Sequence, residues 1–123
     1  MVPAMPSAAS SPPAPERWRL EAGPVDVARL TIPADAFRSR RFEIDCRFVV
    51  ARKAGGARHG MRVEVGGALE WSRRAETANP GETDSMDYHF RREVPVGEEL
   101  RIVVKTEARG AMRIALVIEA EEA

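Results

Sequence analysis

Two histidines, one cysteine and two tryptophans hold much of the reactive side-chain chemistry in this 123-residue chain. His89 lies two positions after Asp87. A strand there puts both on one face, where the carboxylate could orient the imidazole for general-base work. Charged neighbours on the same face give the plainer expectation of a solvated histidine. The segment GETDSMDYH gathers Glu82, Asp84, Asp87 and His89, donors suited to a cation if the loop folds back on itself, but their spacing matches no EF-hand, zinc or carboxylate-triad pattern. No serine sits in a nucleophile elbow, and Cys46 falls in an apolar phase where a thiol is an inert packing group. The expectation is therefore no catalytic residue, no metal ligand, no cofactor and no enzyme.

Binding chemistry stands out more clearly. Eight basic residues between Arg38 and Arg62 face only Glu43 and Asp45 in the same stretch. Within ARKAGGARHG, Arg52, Lys53, Arg58 and His59 surround two glycines, so backbone amides could approach an anion. Walker spacing and a following helix are missing, and no aromatics interleave with the cations, which speaks against nucleic acid. An acidic partner surface is the sharper reading of this loop, and a solvated basic loop the plainer one. Val49, Val103 and Val117 fall in the outward phase of three strands and would form a contact patch if adjacent.

A second kind of binding rests on Trp71 and its neighbour Glu70 in GMRVEVGGALEW. A two-residue turn at Gly66 and Gly67 pairs Val65 with Ala68 and Val63 with Glu70. That register turns the indole outward as a platform for a sugar ring or an apolar ligand. A three-residue loop that includes Ala68 pairs Val65 with Leu69 and Val63 with Trp71. The indole then anchors the core, and this register is preferred.

The elements that must position these residues read as strands. Phe42, Ile44, Cys46, Phe48 and Val50 alternate with Arg41, Glu43, Asp45 and Arg47, the period of a half-buried strand. The same reading recurs at 27–32, 61–65, 69–73, 86–94, 100–106 and 111–120, making seven strands separated by turn-rich gaps such as AGGA, VGGA, NPGE and ARGA. No helical period is sustained and no solenoid repeat is visible. The fold class expected is all-β, an antiparallel β-sandwich of about seven strands, immunoglobulin-like or jelly-roll in type. Pairing Val94 with Leu100 across PVGEE sets Phe90 against Val104 and Glu93 against Arg101. In that hairpin the ion pair adds roughly 0.2 to 1 kcal/mol. Its weak point is Arg92, which falls in the inward phase opposite Ile102.

The first fifteen residues carry no charge and are mostly Pro, Ala and Ser, a composition that cannot build a core. A flexible arm or linker is expected over 1–24 and the sandwich over 25–123. Charge balances at 19 basic and 19 acidic residues, which argues against a whole-chain nucleic-acid or acidic-membrane binder. One cysteine excludes an internal disulfide and leans toward a reducing compartment. The amino-terminal residues lack the basic start and apolar run of an export signal, and no stretch reaches the roughly 18 apolar residues of a membrane span. These features predict a soluble, cytoplasmic, non-catalytic protein-interaction or assembly subunit. Its partner is a protein, including a second copy reached through residues 1–24. The alternative is a small-ligand or carbohydrate-binding module using Trp71 and Glu70.

Overall fold

The computed structural model describes all residues except 1–13, 54 and 79–81. Most of the expected arm and part of the acidic loop therefore lie outside the described residues. Within them are eight strands: β1 (Arg17–Glu21), β2 (Val27–Ile32), β3 (Arg40–Arg52), β4 (Arg58–Val65), β5 (Ala68–Glu76), β6 (Thr83–Val94), β7 (Leu100–Arg109) and β8 (Ala111–Glu122). They form two four-stranded sheets, ordered β1-β8-β3-β6 and β2-β7-β4-β5. Four antiparallel pairs nest inside one another: β1 with β8, β2 with β7, β3 with β6 and β4 with β5. Contacts of β3 with β8 and of β4 with β7 join these pairs into the sheets. This is a long hairpin rolled on itself, so of the two expected sandwich types the strand order is that of the jelly roll.

Alternation puts one face of every strand into the space between the sheets. Phe42, Ile44, Cys46, Phe48 and Val50 are fully buried along β3, facing Ile32, Met61, Val63, Ile102 and Val104 from the other sheet. Removing each such side chain from water contributes about 1.5 to 3 kcal/mol. Burial pushes the Cys46 thiol up to about 12, with Asp45 adding to the shift. The thiol is thus a packing group at neutral pH.

Two expectations about the elements change. The strand count rises because Arg17–Glu21, assigned to the arm, pairs along its length with β8, setting Trp18 against Ala120 and Leu20 against Ile118. The sandwich therefore begins well before residue 25. Buried charge fixes the start of this strand. Arg40, whose side chain is 2% exposed, donates from Nη1 to Glu16 Oε1 at 2.9 Å and from Nη2 to the Pro33 carbonyl at 2.7 Å. Arg38 reaches the same Glu16 at 2.9 Å and also pairs with Glu122.

The second change concerns β6 and β7, which do not form a hairpin. β6 pairs with β3, while β7 lies in the other sheet between β2 and β4. The PVGEE segment crosses between sheets, and Glu93 meets Arg41 at 2.7 Å rather than Arg101. Among the described residues no helix is long and apolar enough to cross a membrane.

Candidate functional site

The β4–β5 hairpin settles where Trp71 points. Gly66 and Gly67 have φ of 59° and 86°, so both occupy the left-handed region that a primed two-residue turn requires. Val65 accordingly pairs with Ala68. Between Val63 and Glu64 the register shifts, leaving Glu70 as the extra residue, so that Trp71 still pairs with Val63. The turn is thus the shorter of the two considered, and the bulge restores the inward phase of the longer one.

Glu70 and Trp71 meet the edge strand of the opposite sheet. The indole stacks on Tyr88 with ring centroids 4.6 Å apart and planes 10° from parallel, and Tyr88 stacks in turn on Phe90 at 5.5 Å. Glu70 accepts a hydrogen bond from the Tyr88 hydroxyl at 2.7 Å and one from Arg92 Nη2 at 2.5 Å. That bond to Glu70 raises the Tyr88 pKa and keeps the phenol protonated. The two residues considered for a sugar or apolar ligand are therefore engaged by the protein's own Tyr88 and Arg92. Together they close the side of the sandwich between β5 and β6.

The residues weighed for catalysis and metal binding separate. His89 pairs across the sheet with Asp45 at 2.8 Å, while Asp87 accepts a hydrogen bond from Ser85 and lies 3.4 Å from Arg47. Asp84 accepts from the Ala78 backbone amide. No three His, Cys, Asp or Glu side chains converge among the described residues.

The basic loop also divides. Lys53 is exposed, and its amide donates to the Gly110 carbonyl at 2.9 Å, tying the loop to the β7–β8 turn. Arg58 opens β4 and is exposed, and Arg52 ends β3, its side chain lying outside what is described. His59 does not belong to this surface. It is 4% exposed, shares a 2.8 Å hydrogen bond with Thr77 Oγ1 and meets Phe48 edge-on. Alternation explains this: once Arg58 starts a strand, the next residue turns inward. The three valines do not form one patch. Val49 and Val117 are diagonal neighbours on the outer face of the first sheet, and Val103 lies on the second.

Charge is distributed unequally over the two outer faces. On the β1-β8-β3-β6 face, cross-strand ion pairs match partner to partner: Arg17–Glu121, Arg19–Glu119, Arg41–Glu93, Arg91–Glu43, Arg47–Asp87 and His89–Asp45. On the strands of the other face the outward phase holds Arg29, Arg58, Arg62, Arg74, Arg101, Lys105 and Arg109 against Glu64, Glu76 and Glu107. Arg58 sits directly opposite Arg109, and Arg62 directly opposite Lys105. Among the described residues Arg58 and Arg109 have no ion-pair partner, while Arg62 and Lys105 share the single Glu64 oxygen Oε2 at 2.8 and 3.2 Å. Both cations hold the Glu64 carboxyl below its usual range.

Between these two pairs lies Gly60, in ordinary strand conformation on β4. A Cβ there would come within 2.8 Å of Glu107 Oε1 and 3.1 Å of Arg74 Cγ. The missing side chain lets Arg74 and Glu107, on the flanking strands, bridge over β4 at 2.5 Å. A groove of about 470 Å³ opens on the Arg62 and Lys105 side of this bridge. Another of about 390 Å³ opens on the Arg58 and Arg109 side.

Sequence reasoning placed Arg62 outward, but it missed Arg74, Lys105 and Arg109 as members of one site. Alternation gave their faces, but only the non-local register of β4 with β7 brings them together. It also missed Phe37, 93% exposed on a loop ordered by Asp35, whose carboxylate accepts from the Phe37 and Arg38 amides.

No protein-family model matches the chain, and none of the curated proteins does. Solved structures do match. Over 88% of its length the chain is similar in fold to dimeric latent PorU from Porphyromonas gingivalis, with a TM-score of 0.58 and 16% sequence identity. It spans 12% of that PorU chain. It is also similar to the infectious bursal disease virus Gx strain structure, with a TM-score of 0.48, 12% identity, 87% of this chain covered and 32% of that one. For the infectious bursal disease virus VP2 subviral particle the corresponding values are 0.47, 10%, 87% and 32%. At such identity the likeness to PorU shows the fold alone, and the two weaker viral likenesses add nothing to it.

Proposed function

We propose that this chain is a non-catalytic interaction module that docks an acidic partner on the outer face of its β2-β7-β4-β5 sheet. One observation carries the reading: the outward phase of this face holds an excess of cations, and Arg58 and Arg109 stand opposite each other without an ion-pair partner among the described residues, whereas Arg17, Arg19, Arg41 and Arg91 on the opposite face are each paired with a carboxylate. Like charges directly opposite on neighbouring strands destabilise a sheet, and a partner carboxylate relieves the repulsion. Arginine suits the task because its planar fork accepts a carboxylate in bidentate fashion. The engagement of Glu70, Trp71 and His59 with the protein's own side chains is consistent with recognition by this surface rather than by a catalytic cleft.

Polyglutamate serves as the test ligand. Neutralising Arg58, Arg62, Lys105 and Arg109 to glutamine should weaken its binding and flatten the salt dependence of association. Changing Arg17, Arg41 and Arg91 on the opposite face should leave both unaltered. Equal losses from the two sets of substitutions would reduce the effect to general charge and defeat the reading.

A further inference from the structure

We infer that the groove across Gly60 is a pair of linked carboxylate subsites that takes an extended acidic peptide, its acidic side chains four positions apart. The inference rests on the interaction-module reading and specifies its ligand. Each subsite is one of the cation pairs, Arg58 with Arg109 and Arg62 with Lys105, the second keeping a single net positive charge because Glu64 bridges its two cations, and each opens onto its own part of the groove. The two pairs stand on the same two strands with Gly60 midway between them. Four residues along a strand span about 13 Å. An extended peptide laid along the groove repeats that spacing on its own same-face side chains, so carboxylates at its first and fifth contacts meet the two subsites together. The contact midway falls over the Arg74–Glu107 bridge, where both charges are already paired. A small neutral side chain fits there.

The spacing and the lining of the groove narrow the ligand. A free phosphate fills one subsite and gains nothing from the other. Single-stranded nucleic acid binds through stacking on aromatic rings as well as through phosphates, and the groove is lined by Arg, Lys, Glu, Ser, Thr, Met, His, Ala and Gly, with no Trp, Tyr or Phe. The Ser72 and Thr106 hydroxyls, which line the Arg62 side, provide neutral donors beside the cations.

The test uses fluorescence anisotropy with the full chain and short labelled peptides of serine, threonine and glycine. One carries two glutamates four positions apart, a second carries them two positions apart, and a third carries one glutamate. The first should bind at least about tenfold tighter than the others, because the second contact becomes intramolecular. R58Q/R109Q and R62Q/K105Q should each reduce it to the level of the single-glutamate peptide. The melting temperature of R58Q/R109Q should hold or rise, since it removes a repulsive pair, whereas R62Q/K105Q also strips Glu64 of both its partners and should lower it. A fall in the melting temperature of R58Q/R109Q would mean those cations hold the sheet together, and the two-subsite arrangement would be abandoned. Equal binding of the two-position and four-position peptides overturns the two-subsite arrangement, and if polyglutamate binding still depends on this face, the broader reading survives. Loss of that dependence removes both. Tighter binding of an oligothymidylate of equal charge would assign the groove to nucleic acid instead.

Discussion

Trp71 owes its inward orientation to a single extra residue. Without the bulge at Glu70 the Gly66-Gly67 turn would aim the indole at solvent; with it the ring lies between Val63 and Tyr88. Trp71 is half-buried, so Trp71→Ala should cost less than a fully buried aromatic, about 2 to 3 kcal/mol, including the lost stack. Denaturant unfolding measures this, and in a Trp18→Phe background the emission of Trp71 should be partly shielded from quenchers. His59 gives a pH prediction. Burial, aided by Arg73 and opposed by Asp84, lowers its pKa from 6.5. The unfolded chain therefore binds a proton where the folded chain does not, so this contribution is complete above 6.5 and is lost as pH falls toward the lowered value. Melting temperature should drop from about pH 7 to about pH 5, and His59→Gln should flatten that drop. Glu122, lowered from 4.5 chiefly by Arg38, adds a separate loss at lower pH. At this scale the sequence revealed that Trp71 was decisive and that Cys46 was a core residue. It could not reveal the bulge, because a bulge changes phase without changing composition.

Among the elements, β1 is the one whose attachment depends most on charge. It is five residues long and among the described residues pairs only with β8, and the Arg40–Glu16 contact anchors its start. Arg40→Ala should cost about 3 kcal/mol by leaving Glu16 half-compensated and the Pro33 carbonyl without its donor. Hydrogen exchange should then show Arg17–Glu21 losing protection before any other strand. The strand was visible as an alternation, RWRLE, but the Pro-rich run before it drew it into the arm. The expected β6–β7 hairpin failed for a different reason. Two alternating segments agree in phase at every even offset, so matching Phe90 to Val104 and Glu93 to Arg101 could not discriminate a hairpin partner from a strand in the opposite sheet. Arg92, the misfit in that pairing, marked the error: it faces Glu70 across the sandwich, not Ile102.

For the whole molecule, the strand periods disclosed an antiparallel sandwich, but the order of strands and the cationic face depend on contacts distant in sequence. Among the eight described strands only β4 and β5 are chain-consecutive and paired within a sheet; the others must find partners farther away, and Trp18 must meet Ala120. Long-range pairing of this kind slows folding to milliseconds or longer. The β4–β5 hairpin is the natural place to begin, so Val63→Ala should chiefly slow folding and Leu20→Ala chiefly speed unfolding, as a chevron analysis would register. The nested order also governs what a ribosome can release in finished form. Of the eight described strands β1 emerges first, and its sheet neighbour among them is β8, which emerges last. Until β8 is made, therefore, the nascent chain carries β1 without its sheet neighbour, with Trp18 and Leu20 on one face. Closure of the sandwich therefore waits on translation of β8.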